Sequence, residues 1–144
     1  MSGWLLDTNV LSELRRKKPS PAVVDFVSAQ SLDSLFVSEV TFAEIRFGIE
    51  LVSEPTRRAE LRQWLDHRLR PMFAHRVLAI TEDILLDWRL IIEAGRKVGH
   101  TFSHPDVLIA ATASRHGLAV VTRDPSDFVA AGVTAIDPWI AKAP

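Results

Sequence analysis

Short apolar runs in this chain alternate with stretches whose apolar residues recur at three- to four-residue spacing, and that alternation restricts the fold more than any other feature. Trp4 to Leu6 is one such run, and Val10, Leu11 and Leu14 after it keep helical spacing. Leu35 to Ser38, Val77 to Ile80, Ala119 to Thr122 and Val133 to Ile136 read as further strands. Between them, Ser20 followed by Pro21 reads as a helix N-cap with proline at the first position, opening a helix to about Ala29. Phe42, Ile45, Ile49 and Val52 predict a helix from Thr41 that Pro55 stops, and Leu61, Trp64, Leu65 and Leu69 predict one that ends before Pro71. Thr81 caps a long helix through Leu85, Trp88, Ile91 and Ile92 toward Gly95 or Gly99, and Pro105 opens a helix that Gly117 closes. Parallel strands need crossover connections, so this order implies an α/β fold with a parallel sheet covered on both faces.

A chain of 144 residues with 47% hydrophobic content suits a single domain over 1–144, which at this size buries roughly 68–70% of its unfolded surface. The absence of cysteine excludes disulfide frameworks, thiolate zinc sites and cysteine nucleophiles. The start, MSGWLLDTNV, has no basic n-region, and no segment approaches the roughly 18 apolar residues of a membrane span, so a cytoplasmic protein without membrane association is expected. There is no glycine-rich phosphate loop and no G-x-S-x-G, which removes nucleotide triphosphatases and serine hydrolases. Net charge is only −1, but its distribution is uneven. Arg15, Arg16, Lys17 and Lys18 form one basic run, and the stretch from Arg57 to Arg76 is arginine-rich against Glu60 and Asp66. A solvated helix face accounts for most such runs; contact with RNA or with an acidic protein segment is the functional alternative.

Open parallel sheets bind ligands beyond the carboxyl ends of their strands. Asp7 follows the first strand and Asp124 the fourth, while Glu44 lies on the helix after the second strand and Asp106 in the first turn of the helix before the fourth. If strands one, two and four are neighbours, all these acids converge. Two like charges about 4 Å apart repel by about 4 kcal/mol at an effective dielectric of 20, so such a cluster calls for a hard divalent cation. Mg²⁺ with one or two direct carboxylates keeps waters for chemistry, and a phosphodiester hydrolase has these requirements. Each acid also has a structural reading. Asp7 can cap the following helix, Asp106 can favour its own helix N-terminus, Thr41 with Glu44 fits a capping box, and Asp124 before Pro125 is a turn residue.

WLLDTNVLSEL from Trp4, VTFAEIRFGI from Val40, PDVLIAATA from Pro105 and VVTRDPSDF from Val120 resemble the successive motifs of the PIN-domain family, and more narrowly of its VapC-type and FitB-like toxins, over Trp4 to Trp139. The resemblance implies a three-layer α/β/α fold with a five-stranded parallel sheet and a divalent-metal endoribonuclease, which with the carboxylate reading above predicts Mg²⁺ as the ion, with Mn²⁺ as a substitute. It implies Asp7 and Asp106 as direct metal ligands and Glu44 and Asp124 as the rest of the acidic pocket. Thr8, Asn9 and Thr122 match its hydrogen-bonding positions, and Asp127 falls where many relatives carry a further acid. It also implies an RNA substrate cut to leave a 5′-phosphate, a homodimer, and silencing by a small cognate antitoxin, which can carry the complex to operator DNA. A catalytically silent binding module in a DNA-binding toxin–antitoxin complex is the competing reading. His104-Pro105 before Asp106 departs from the open turn of many relatives, and His104 is expected as a solvent-exposed loop histidine. His116 reads as a helix carboxyl-end residue favoured by the dipole, Gly95 and Gly99 as a loose helix end, and the tryptophans as core or interface anchors.

Overall fold

The computed structural model describes residues 2–140; the single domain expected over 1–144 therefore includes residues outside those described. The strands β1 (Trp4–Leu6), β2 (Leu35–Ser38), β3 (Val77–Leu78), β4 (Ala119–Val121) and β5 (Ala135–Ile136) form a five-stranded parallel sheet in the order β3-β2-β1-β4-β5. Trp4 pairs with Leu35 on one side and Ala119 on the other. Period-two alternation sends Leu6, Leu35, Val37 and Val121 into one core and Leu5, Phe36 and Val120 into another. Both faces are thus covered, which is why the strands read as continuous apolar runs.

The first core is closed by α1 (Thr8–Arg15), α2 (Pro21–Ser28), α3 (Glu39–Glu50) and α4 (Pro55–Trp64), through Val10, Leu11, Val23, Phe42, Ile45 and Leu61. The second is closed by α7 (His104–His116) and the short α8 (Ser126–Ala130), through Ile109, Ala110, Ala113 and Phe128, with α6 (Glu82–Lys97) packed on α7. The expected three-layer α/β/α arrangement is what the chain adopts. Thr81 caps α6 by accepting the Ile84 N–H, and Gly117 closes α7 in the left-handed conformation at φ 66°. Among the described residues no helix is long and apolar enough to cross a membrane.

Several local expectations are corrected. Helix α3 starts at Glu39 because Ser38, the last residue of β2, accepts the Val40 N–H at 3.1 Å; Thr41 is therefore buried inside the helix and forms no capping box with Glu44. The helix stops at Glu50, before Pro55 is reached, and Pro55 instead opens α4, capped by the Glu54 carboxylate on the N–H groups of Thr56 and Arg57. Nor does Pro71 end the next element. Helix α4 widens into a π-turn over Leu65–Leu69, and Pro71 falls in the first turn of α5 (Arg70–Met72), where a missing N–H costs little. Ser20 makes no side-chain cap bond despite its position before Pro21. The strands β3 and β5 are shorter than their apolar runs, and α8 is too short to show a period.

Gly95 is not a loose end but a buried helical residue. A Cβ there would lie 2.5 Å from the Phe102 ring and 2.9 Å from the His100 carbonyl oxygen. His104 is exposed, as expected, but begins α7 rather than lying in a loop, and its ring meets Trp88 edge-on with centroids 5.9 Å apart. Leu61 and Leu65 are buried in the chain's own core, whereas Phe47 and Leu51 are exposed.

Candidate active site

The strand order places β1 at the point where the sheet stops growing toward β2 and β3 and resumes on the other side with β4 and β5. A crevice opens beyond the carboxyl ends of strands at such a reversal. Asp7 comes directly after β1, and its own N–H donates to the Val121 carbonyl of β4 at 2.9 Å. That bond fixes the residue between the two strands. Asp7 is 6% exposed, with Oδ1 accepting the Thr8 N–H and Oδ2 accepting the Thr122 hydroxyl, each at 2.8 Å. The helix-cap reading and the crevice reading both hold, because a residue at the junction of β1 and α1 serves both.

Thr122 and Asn9 tie the loops after β1 and β4 together. The Thr122 hydroxyl accepts the Asp124 N–H at 3.2 Å and the Asn9 amide at 3.4 Å, while Asn9 Oδ1 accepts the Arg123 N–H at 3.3 Å. Burial pushes the Asp7 carboxyl above its ordinary value; the bonds from Thr122 and Thr8 work against that, and the nearby Asp106 and Asp124 add to it. Asp106, half-buried in the first turn of α7, is also raised by burial, against a bond from Ser103 and with a contribution from Asp127 and Asp124.

Asp7, Glu44 and Asp106 line one open cleft of about 790 Å³, together with Thr8 and Asn9. Asp124 is exposed and outside the lining of that cleft, although near enough to act on both buried acids. Asp127 lies on α8 and binds His100 Nε2 at 3.1 Å through Oδ1. Among the described residues, no three aspartate, glutamate or histidine side chains form a ready-made cation cage. The donor set nonetheless fits a hard divalent ion: it is all oxygen, and Asp7 and Asp106 are both raised, first by burial and then by neighbouring acids, Asp106 and Asp124 at Asp7 and Asp127 and Asp124 at Asp106. Such an ion needs only one or two direct carboxylates when water fills its other positions.

Two further features of the cleft had escaped the reading of the sequence. Glu13 on α1 is 4% exposed, with Arg16 Nη1 at 3.2 Å from both of its oxygens and the Ser20 N–H at 3.4 Å. Burial pushes its carboxyl up, but the Ser20 and Arg16 bonds outweigh that and hold it below its ordinary value. The i,i+3 spacing of Glu13 and Arg16 was a readable signal. Arg123 stacks over Trp139 at 4.9 Å from the ring centre at the cleft edge, and no spacing rule links those two positions.

Comparison with known proteins gives a consistent picture. A family model described as PIN domain matches residues 4–132. The chain is 41% identical to the plasmid stability protein StbB of Pseudomonas syringae pv. tomato, over 95% of this chain and 99% of that protein. It is 38% identical to VapC ribonuclease Y4jK of Sinorhizobium fredii, over 94% and 96% of the two chains, and 36% identical to toxin FitB of Neisseria gonorrhoeae, over 94% and 97%. Among solved structures, FitAcB from Neisseria gonorrhoeae superposes with a TM-score of 0.90 at 35% identity, covering 96% of this chain and 99% of that one. FitAB bound to an IR36 DNA fragment gives 0.90 at 33% identity, covering 97% and 98%.

Proposed function

The chain belongs to the PIN domain family, and from that premise we propose that it is the toxin of a type II toxin–antitoxin pair, acting as a divalent-metal-dependent endoribonuclease. The observation that carries this reading is the cleft at the β1/β4 reversal, where Asp7 is buried with both oxygens hydrogen-bonded and Asp106 and Glu44 line the same space. Relatives named as a ribonuclease and a toxin, alike over nearly their whole lengths, support it. Asp7 and Asp106 would hold Mg²⁺, or Mn²⁺ in its place, with Glu44 and Asp124 completing the acidic surroundings and Asp127 beside them. When bound, the ion supplies charge neutralisation at a phosphodiester and a more acidic water.

The chain's own residues do the positioning. Thr122 and the Thr8 amide lock the Asp7 carboxylate, and Asn9 holds the loop after β4 against the start of α1. Hydrolysis adds water across the P–O3′ bond, leaving a 5′-phosphate and a 3′-hydroxyl that takes a proton. The cognate partner is a small antitoxin, and the working form is a homodimer. The test is cleavage of total cellular RNA by purified, antitoxin-free protein in Mg²⁺ and in EDTA, beside Asp7→Ala. Discrete fragments that need both metal and Asp7 are expected; equal cleavage by Asp7→Ala would remove Asp7 from the site. The competing reading, a silent binding module, draws on the spread of the acids, among which no ready cage forms. Failure of a folded parent to bind Mg²⁺ or Mn²⁺ by titration would favour it.

A further inference from the structure

The acidic cleft does not end at the acids. Arg15 and Arg16, at the carboxyl end of α1, line both that cleft and a second open groove of about 760 Å³. The groove adds Lys17, Lys18 and, from α4, Arg57, with Glu60 as its one acid. Its floor includes Trp64, over whose ring the Arg15 guanidinium sits at 5.9 Å. Arg57 meets Glu60 at only 3.6 Å with both side chains exposed, a pair of little strength. Among the described residues, Lys17 and Lys18 have no carboxylate partner. Arg16 is held by Glu13 and Arg57 loosely by Glu60, so Lys17 and Lys18 carry the groove's uncompensated charge, and Arg15, partly desolvated beside Arg57, adds to the cationic field. A chain whose net charge is −1 has here concentrated its cations at the mouth of its most acidic cleft.

We propose that this groove holds the phosphate backbone of the RNA strand whose scissile bond lies at Asp7, so that Lys17, Lys18 and Arg57 draw a polyanion toward acids that would otherwise repel it. The inference rests on the nuclease reading for the identity of the strand. Helix α1 sets the spacing. Its eight residues span about 12 Å, which at about 3.4 Å per stacked nucleotide puts the groove contacts roughly three or four nucleotides from the cut. An extended strand suits this layout because one groove serves both ends. An acidic protein segment would satisfy the cations but has no reason to continue among Asp7, Glu44 and Asp106.

The test is binding of an end-labelled single-stranded RNA by fluorescence anisotropy in EDTA, with log Kd followed against log salt. The parent is compared with Lys17→Gln/Lys18→Gln/Arg57→Gln, and with Arg89→Gln/Lys97→Gln on α6, which packs chiefly on α7. The groove variant should lose about 2 from the salt slope, since each phosphate contact on a single strand contributes about 0.7. Between 50 and 200 mM salt it should therefore lose about 15-fold less affinity than the parent. The α6 variant should keep the parent slope, and all three proteins should melt alike. Trimming the RNA to fewer than about three nucleotides on the groove side should reproduce the loss with the parent. A parent-like slope in the folded groove variant overturns the proposal, as does a variant that keeps RNA affinity but loses binding to a polyglutamate peptide. Because this readout needs no cleavage, a groove effect with an inactive parent would sink the nuclease reading and leave the groove standing.

Discussion

Thr122 engages three partners through one hydroxyl: it donates to Asp7 and accepts from Asn9 and from the Asp124 backbone. Thr122→Val keeps the volume and removes all three bonds, leaving Asp7 Oδ2 buried without its donor. The expected cost is about 1–3 kcal/mol, read by chemical denaturation. If Asp7 holds the cation, cleavage should also fall about 10–100-fold, the usual effect of removing a group that orients a ligand. Asp106 gives the opposite sign in stability. Its native carboxyl is raised above 3.8, so between that value and the raised one the native state keeps a proton that the unfolded chain has released, and stability is lost as pH rises through the window. Asp106→Asn removes that loss. In EDTA it should melt above the parent at pH 7, with the gap closing as pH falls toward 3.8, as scanning calorimetry would show. Relief of the same repulsion would favour alanine at Asp7. The structure qualifies that, because Asp7 caps α1 and anchors Thr122, and those bonds are lost with the charge.

At the scale of elements, one tight constraint is the approach of α6 to the segment leading into α7. Gly95→Ala would drive a Cβ into the His100 carbonyl and the Phe102 ring, and backbone cannot yield as a side-chain tip does. A loss of about 1–3 kcal/mol is expected by denaturant titration, and a shift of the Ser103–Asp106 turn should lower activity beyond it. Nothing in the sequence marked this contact, since a glycine near a helix end has a simpler explanation in capping. What was legible follows from periodicity: the five strands, the helices between them and the parallel order are imprinted by burial on two faces. Boundaries were not. Ser38 won the cap from Thr41 because the last residue of β2 already has extended backbone, and Pro71 fitted inside a helical run only because a π-turn precedes it. The acids were visible for a related reason. Asp7 and Asp106 occupy strand and helix ends that periodicity locates, whereas Trp139 and Arg123 meet through tertiary packing alone.

For the whole molecule, charge is distributed against its own average: a net −1 resolves into an acidic cleft centred on buried Asp7 and an exposed basic groove. The acidic centre has no counter-charge among its immediate hydrogen-bond partners, and Asp7 and Asp106 are both raised by burial and by neighbouring carboxylates. A divalent ion that binds only the folded chain must then act as a stabiliser. At a hundred times its Kd it should add about 2.7 kcal/mol, or roughly 5–10 °C in Tm for a domain near this size. Thermal scans of the parent in rising Mg²⁺ or Mn²⁺ should show that climb. Asp106→Asn should start higher and climb much less, and Asp7→Ala should start lower by the cap it has lost and stay nearly flat. Monovalent salt at matched ionic strength should not reproduce the climb, because screening weakens the repulsion without supplying a ligand-bound charge. A parent whose Tm ignores both ions while Asp106→Asn still melts higher would mean that the repulsion is real and unrelieved, and the cluster would then need a cationic partner side chain rather than a metal.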